Sequence, residues 1–458
     1  MILVVAAKEL VRGYRLWLGS LIVVVAASAV CAATLAQIET AAALPAEASG
    51  SLQSASITVL AFTVLAAIAI TGATTNLAVA SGRRGYALLQ LAGILPRQVT
   101  AMVLAQLVML ALIGTGTGVG LGRIIAQPLL DLVVVQTSAP AGTVIVYGGT
   151  ALWAFGLFAG VVVLSGIRAA RRAGRVPPIE ALREPEPPRI RMRASRWVAT
   201  GISGAASIGV GLAVAAMSPS LTPDGRPVGL DSVTSLGLLL SIALTTLAVS
   251  LGPILYPSLM RAWTAVIPSG LSGSWFLARR SCRYRITQST AAITPLMVGI
   301  AMPGSMYTVF LTAANAMAAG GGPTDINSAS IFTSLGPALL LAALGSAAVI
   351  FMTSRTRARD NALVSVSGGT FTTTTLSAIF EAVIYVVTAF LIALSIFGVV
   401  GLVVAIAFAH TMTGVVPVYG IGTALIVAGA GAVIVGVATV APAVAPTRRS
   451  IPSLLASE

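Results

Sequence analysis

Apolar runs of about 20 or more residues, each closed by a short polar or basic segment, recur along the whole chain. A hydrocarbon layer about 30 Å thick asks for about 20 apolar residues per helical crossing. Ten stretches meet that length: 16–37, 55–79, 99–122, 144–167, 197–217, 232–256, 287–312, 332–353, 376–404 and 416–440. The pattern predicts an all-α integral membrane protein with ten transmembrane helices. Between the second and third stretches, RRGYALLQLAGILPRQ (Arg83 to Gln98) is too polar for lipid and too patterned for a random loop. Leu88, Leu91, Ala92 and Leu95 recur at helical spacing on one face, with Arg84, Gln90 and Arg97 away from it. Gly93 and Pro96 mark the end of that short helix. Ahead of the first span, Lys8 to Arg15 reads either as a similar surface helix, with Tyr14 and Trp17 at headgroup depth, or as a basic flank that sets orientation. The third span closes in GTGTGVGLG, Gly114 to Gly122, whose small residues let a neighbouring helix come close.

Composition agrees with this reading. At 57% hydrophobic and 9% charged, with mean hydropathy +0.98, the chain has too little polar surface to coat a soluble globule. A net charge of +14 raises the question of nucleic acid, and the positions of the charges answer it. With the amino terminus inside, only Arg123 and Arg226 fall on the outer side, where Glu39, Glu47, Asp131, Asp224, Asp231 and Asp325 gather. This is the positive-inside pattern, with both termini cytoplasmic and the excess charge directed at anionic lipid. The helix of the fourth span must emerge at Gly166, before the five arginines between Arg168 and Arg183, and Pro177-Pro178 ends it. Pro185, Pro187 and Pro188 stiffen the linker that follows.

Cys31 lies in the first span and Cys282 in an inner segment, so the two are not expected to meet. The sequence around Cys31 has Val30 where a lipoprotein signal needs a small residue, and its apolar run exceeds a signal core, which favours a retained span. His410, the sole histidine, falls in a short outer loop and reads as solvated; no metal site is expected. Lys8 is the sole lysine and no GxxxxGK[ST] loop is present, so nucleotide hydrolysis is assigned to other subunits and no cofactor to this chain. Glu381 aligns with Gln106 in the inner third of a span, a candidate intramembrane polar site or a hydrogen bond to a neighbouring helix.

The pattern also repeats. Tyr14-Arg15 before the first span matches Tyr284-Arg285 before the seventh, and Arg84, Ala87, Leu88, Gly93 and Thr100 fall at one constant offset on Arg359, Ala362, Leu363, Gly368 and Thr375. The order of elements recurs in the same orientation, which predicts a parallel repeat about an axis along the membrane normal. The expected divisions are 1–184, a linker with two extra spans at 185–274, and 275–458, a 4+2+4 arrangement.

At these residues the chain resembles the FtsX-like permease family, the membrane subunits of MacB- and BceB-type ATP-binding cassette transporters. The family's inner-loop motif, R-E-I-x-x-L-R-A-L-G followed by R-R-Q, is similar to Arg84 through Gly93 with Arg97-Gln98. Its exit motif is similar to Arg168 through Arg183, with Arg171, Pro177, Glu180, Ala181, Leu182 and Arg183 retained. The family's acid after the first arginine is Gly85 in the first copy and Asp360 in the second. The large outer domain of BceB-like relatives has only residues 313–331 in its place. The resemblance implies a type VII-like transporter permease, not itself an enzyme, in a bacterial plasma membrane. It implies two copies of an ATPase partner that carry ATP and Mg, and export or extraction of an amphipathic or hydrophobic compound such as an antimicrobial peptide, drug or lipid. Coupling to the ATPases is then expected at Arg84, Leu88, Leu91, Gly93, Arg97, Arg359, Asp360, Leu363 and Gly368. A secondary transporter, or a scaffold that regulates cell-wall enzymes, stays open as an alternative.

Overall fold

The structure, a computed structural model, describes residues 14–134, 142–175, 194–221, 227–268, 272–319, 368–411 and 415–444, with isolated flanking positions such as Ala6, Lys8, Glu9, Gly345, Met352 and Val364. The helices are α1 (Tyr14–Ala42), α2 (Ala46–Ser81), α3 (Arg83–Leu91), α4 (Pro96–Val134), α5 (Thr150–Ala173), α6 (Ala194–Ala215), α7 (Leu230–Val266), α8 (Gly273–Tyr284), α9 (Ile286–Ala319), α10 (Phe371–Ala409) and α11 (Ile421–Val444). A two-residue antiparallel pair, β1 (Ser220–Leu221) with β2 (Pro227–Val228), joins α6 to α7. Among the described residues, α1, α2, α4, α5, α6, α7, α9 and α10 are each long and apolar enough to cross a membrane. The chain is a multi-pass helical membrane protein. The apolar stretch of α11, Ala424–Val437, is shorter. Most of the expected eighth span, 332–353, lies outside the described residues, although Leu341, Ala348 and Met352 within it are helical.

Several helices outrun the sequence boundaries. α4 and α10 are 39 residues each, about 58 Å at 1.5 Å per residue, against about 30 Å of hydrocarbon. α2 begins at Ala46 rather than at residue 55, and α7 continues to Val266 through Pro253 and Pro257. α5 passes Gly166 and carries Arg171 and Arg172 in its last turn. Hydropathy marks only the part of a helix that faces lipid, whereas the helix persists as long as another helix packs against it. Beyond the outer end of the first unit, Ala41, Leu52, Leu130 and Val133 form a separate apolar cluster that holds the ends of α1, α2 and α4 together. Asp131, expected in a loop, is therefore helical.

The glycine-rich end of α4 packs on α1. A Cβ at Gly118 would collide with Ser28 Oγ and the Val25 carbonyl, and one at Gly122 would lie 2.9 Å from the Ala32 methyl. Gly114, Gly118 and Gly122, one turn apart, so let the two backbones approach, while Gly120 faces open space. Trp17, expected at headgroup depth, is instead buried in the core, because α1 starts inside the packed bundle.

Two sets of helices share one geometry. α4 and α10 have equal length and start 275 positions apart; α5 and α11 have 24 residues each and start 271 apart. α1 packs on α4 and α5 as α9 packs on α10 and α11. The Val146 N–H donates to Thr40 Oγ1 at 2.9 Å, and the Val418 N–H donates to Thr312 Oγ1 at 3.2 Å. Each bond pins a Val-Tyr-Gly segment, 146–148 or 418–420, to the outer end of the preceding first span. The sets meet crosswise: α2 packs on α9, Ile70 of α2 lies against Gly345, and Gly19 of α1 lies against Ala348 and Met352. α6 and α7 pack on the second set, against α9 and α10. α9 is the most enclosed span, 83% buried, whereas α5 and α6, each 22% buried, line the periphery.

Candidate functional site

α3 is nine residues long and cannot cross a membrane. Its sequence divides it by face: Tyr86 and Ala87 are buried against the bundle, while Leu88, Leu91 and Leu95 are 59%, 52% and 61% exposed. Burial and the nearby Glu9 carboxylate push the Tyr86 hydroxyl up to about 12, so it stays neutral in its apolar seat. Leu88 and Leu91 lie three positions apart on α3 and are uncovered, whereas Leu95, predicted on the same face, falls past the helix end and is exposed there. Arg97 is exposed beside it, and the Arg84 side chain lies outside the described residues.

The helix ends in a tight reversal. Gly93 has φ +92°, its N–H reaches the Gln90 carbonyl, and the Ile94 N–H reaches the Leu89 carbonyl at 3.1 Å. This pair of bonds is a Schellman cap, which needs a left-handed residue and hence glycine. The chain then enters α4 directly, with the Leu95 N–H donating to Gln98 Oε1 at 3.0 Å. A second anchor was not anticipated from the sequence: Gln90 Nε2 donates to the carbonyl of Gly174 at the inner end of α5. Gly174 itself lies so close to the Pro96 carbonyl and Thr100 that it admits no Cβ. α3, the start of α4 and the end of α5 are thus one braced corner, and a load on the exposed leucines is carried into two spans.

The second inner loop repeats the reversal. Gly368 has φ +94°, and the Gly369 N–H reaches the carbonyl of helical Val364 at 2.8 Å, each partner 275 positions after its counterpart in the first. Thr370 Oγ1 then caps α10 by accepting the Thr373 N–H. Arg359, Asp360 and Leu363 lie outside the described residues.

Gln106 and Glu381 are both buried, on α4 and α10. Gln106 Nε2 donates to the Ala6 carbonyl at 3.4 Å, so this polar position joins the span to the segment that precedes α1. Beside Glu381, the Phe380 ring meets Trp275 of α8 edge-on at 5.6 Å, and Trp275 lies 6.2 Å from Trp263 of α7. Each position sits where a helix that precedes the first span of its set touches the third. His410 Nε2 donates to the Ala215 carbonyl at 2.9 Å, which ties the C-terminal end of α10 to that of α6. Cys31 and Cys282 are both buried and are not joined in a disulfide.

Residues 57–178 match the family described as FtsX-like permease C-terminal, a range that holds most of α2 and all of α3, α4 and α5. This part of the chain is similar to that permease domain. The braced corner therefore lies inside the matched range, which closes just past the end of α5. No curated protein matches the chain.

Proposed function

We propose that the chain is the permease subunit of an ATP-binding cassette transporter, with two copies of an ATPase subunit docked on its inner face. The observation that carries this reading is the leucine face of α3, held rigidly to two spans and left uncovered. An apolar ridge flanked by arginine suits a groove with an acidic rim on a partner. The equal helix lengths, matching loop bonds and second Schellman turn support a duplicated FtsX-like unit, and so a second handle around Leu363. With α6 and α7 between the units, the arrangement is 4+2+4, ten spans in a bacterial plasma membrane, with both termini cytoplasmic.

ATP and Mg belong to the partners. The cargo is an amphipathic or hydrophobic compound taken from the bilayer and exported, such as an antimicrobial peptide, drug or lipid. Fully buried hydroxyls on α2 that meet no partner among the described residues, those of Ser56, Thr63, Thr71 and Thr75, support an amphipathic rather than a purely hydrocarbon cargo. The test is ATPase stimulation: partner subunits reconstituted with the full chain in vesicles should turn over faster than alone. Leu88→Asp with Leu363→Asp should return the rate to the unstimulated value. Stimulation that survives the double variant would falsify the docking assignment.

A further inference from the structure

α8 gathers three guanidinium groups around one pocket, with Arg261 of α7 close by. Phe276, Arg279, Arg280 and Arg283 line a space of about 200 Å³, and Arg283 Nη2 reaches across to the Arg261 carbonyl and Thr264 Oγ1, both at 3.4 Å. The Nε atoms of Arg279 and Arg283 are buried and have no acceptor among the described residues. Burial, then the charges of Arg279, Arg261 and Arg280, hold Arg283 below the usual guanidinium range. A buried N–H donor without an acceptor is unfavourable, and like charges this close repel, so an anion among the arginines would relieve both.

We propose that this pocket binds a phosphate group, supplied by the headgroup of an anionic phospholipid. Guanidinium forks match phosphate oxygens in pairs, which suits this anion better than chloride. The lipid source follows from position. Arg283 precedes the membrane-crossing stretch of α9, which starts at Ser289, by only six residues, about 9 Å along a helix. Phe276, 46% exposed at the pocket, offers an apolar surface for the glycerol ester region. Bound there, the headgroup would staple α7 to α8 and so hold the middle pair of spans against the second unit. The site is separate from the leucine face of α3 and stands without the ATPase reading.

The test is native mass spectrometry of the full chain in neutral detergent, titrated with dioleoylphosphatidylglycerol, dioleoylphosphatidylcholine or inorganic phosphate. The phosphatidylglycerol should bind more tightly than the phosphatidylcholine, and phosphate at equal concentration should not displace it. Arg279→Gln with Arg283→Gln should weaken binding about 30-fold, at about fivefold for each arginine near an anionic surface. Arg171→Gln with Arg172→Gln, on exposed arginines of α5, should leave it unchanged. If the first pair does not fold, Arg280→Gln, exposed on α8, should still weaken binding about fivefold. Equal binding of the two lipids, or full binding by the arginine variants, would overturn the site, and displacement by free phosphate would overturn its lipid source.

Discussion

The two sets of helices, α1, α4 and α5 and then α9, α10 and α11, share a frame but differ in what covers them. In the first, the flank of α4 is bare, with Leu112, Ile113, Leu121 and Ile124 exposed at 51%, 55%, 47% and 70%. In the second, α10 is covered by α6, α7 and α8. Thr388, which stands 275 positions after Ile113, accepts the indole N–H of Trp263 on α7 at 3.0 Å. One hydroxyl in place of a branched alkyl chain lets a further helix register against the same surface. The contact between first and third spans differs too. Gly122 on α4 makes room for Ala32 on α1, whereas Phe397, at the position equivalent to Gly122, fills the space left by Gly304 on α9. The glycine of the contact has changed helices, from α4 in the first set to α9 in the second.

The sharpest break of this comparison is Gly118→Leu. A side chain there meets the Val25 carbonyl, and backbone cannot move aside as a flexible side chain can. The expected loss is about 3 kcal/mol or failure to fold, at the upper end of overpacking effects. Gly120→Leu, which points into open space, should be tolerated. Thermal melting in detergent distinguishes them, and equal melting temperatures would contradict the close α1–α4 crossing.

A smaller effect sharpens the likeness of the units. Gly93 and Gly368 have no atoms near a prospective Cβ, so alanine at either site should cost only the left-handed backbone strain, about 1–2 kcal/mol. The two losses should be equal within the error of chemical denaturation. A penalty at Gly93 alone would show that the turns are not equivalent. The smallest change addresses the difference between the units. Trp263→Phe keeps an aromatic ring near Trp275 but removes the bond to Thr388, and about 1 kcal/mol should be lost. Melting unchanged by Trp263→Phe would mean that the indole N–H does not anchor α7.

The spans and the amphipathic α3 were legible because lipid imposes length and a surface helix imposes period. Leu88 and Leu91 announced a shared face, and Gly93 a turn, from sequence alone. The extent of α2 and α4 was not legible, since their ends are held by a cluster that joins Leu52 and Leu130, distant in sequence. Trp17 misled because an aromatic residue near a span end looks the same whether lipid or protein surrounds it. The Gln90 bond to Gly174 joins positions 84 apart and leaves no local pattern. The Val-Tyr-Gly repeat at 146–148 and 418–420 was visible but too short to stand out before its bonds to Thr40 and Thr312 were known. The arginines of α8 read as topology alone until their convergence on one pocket became apparent.

The central claim, that two inner handles each hold one motor subunit, is tested most directly by stoichiometry. Native mass spectrometry of the purified complex should find two ATPase subunits per chain, one after Leu88→Asp or Leu363→Asp singly, and none after both. Two ATPase subunits retained by the double variant would contradict the account.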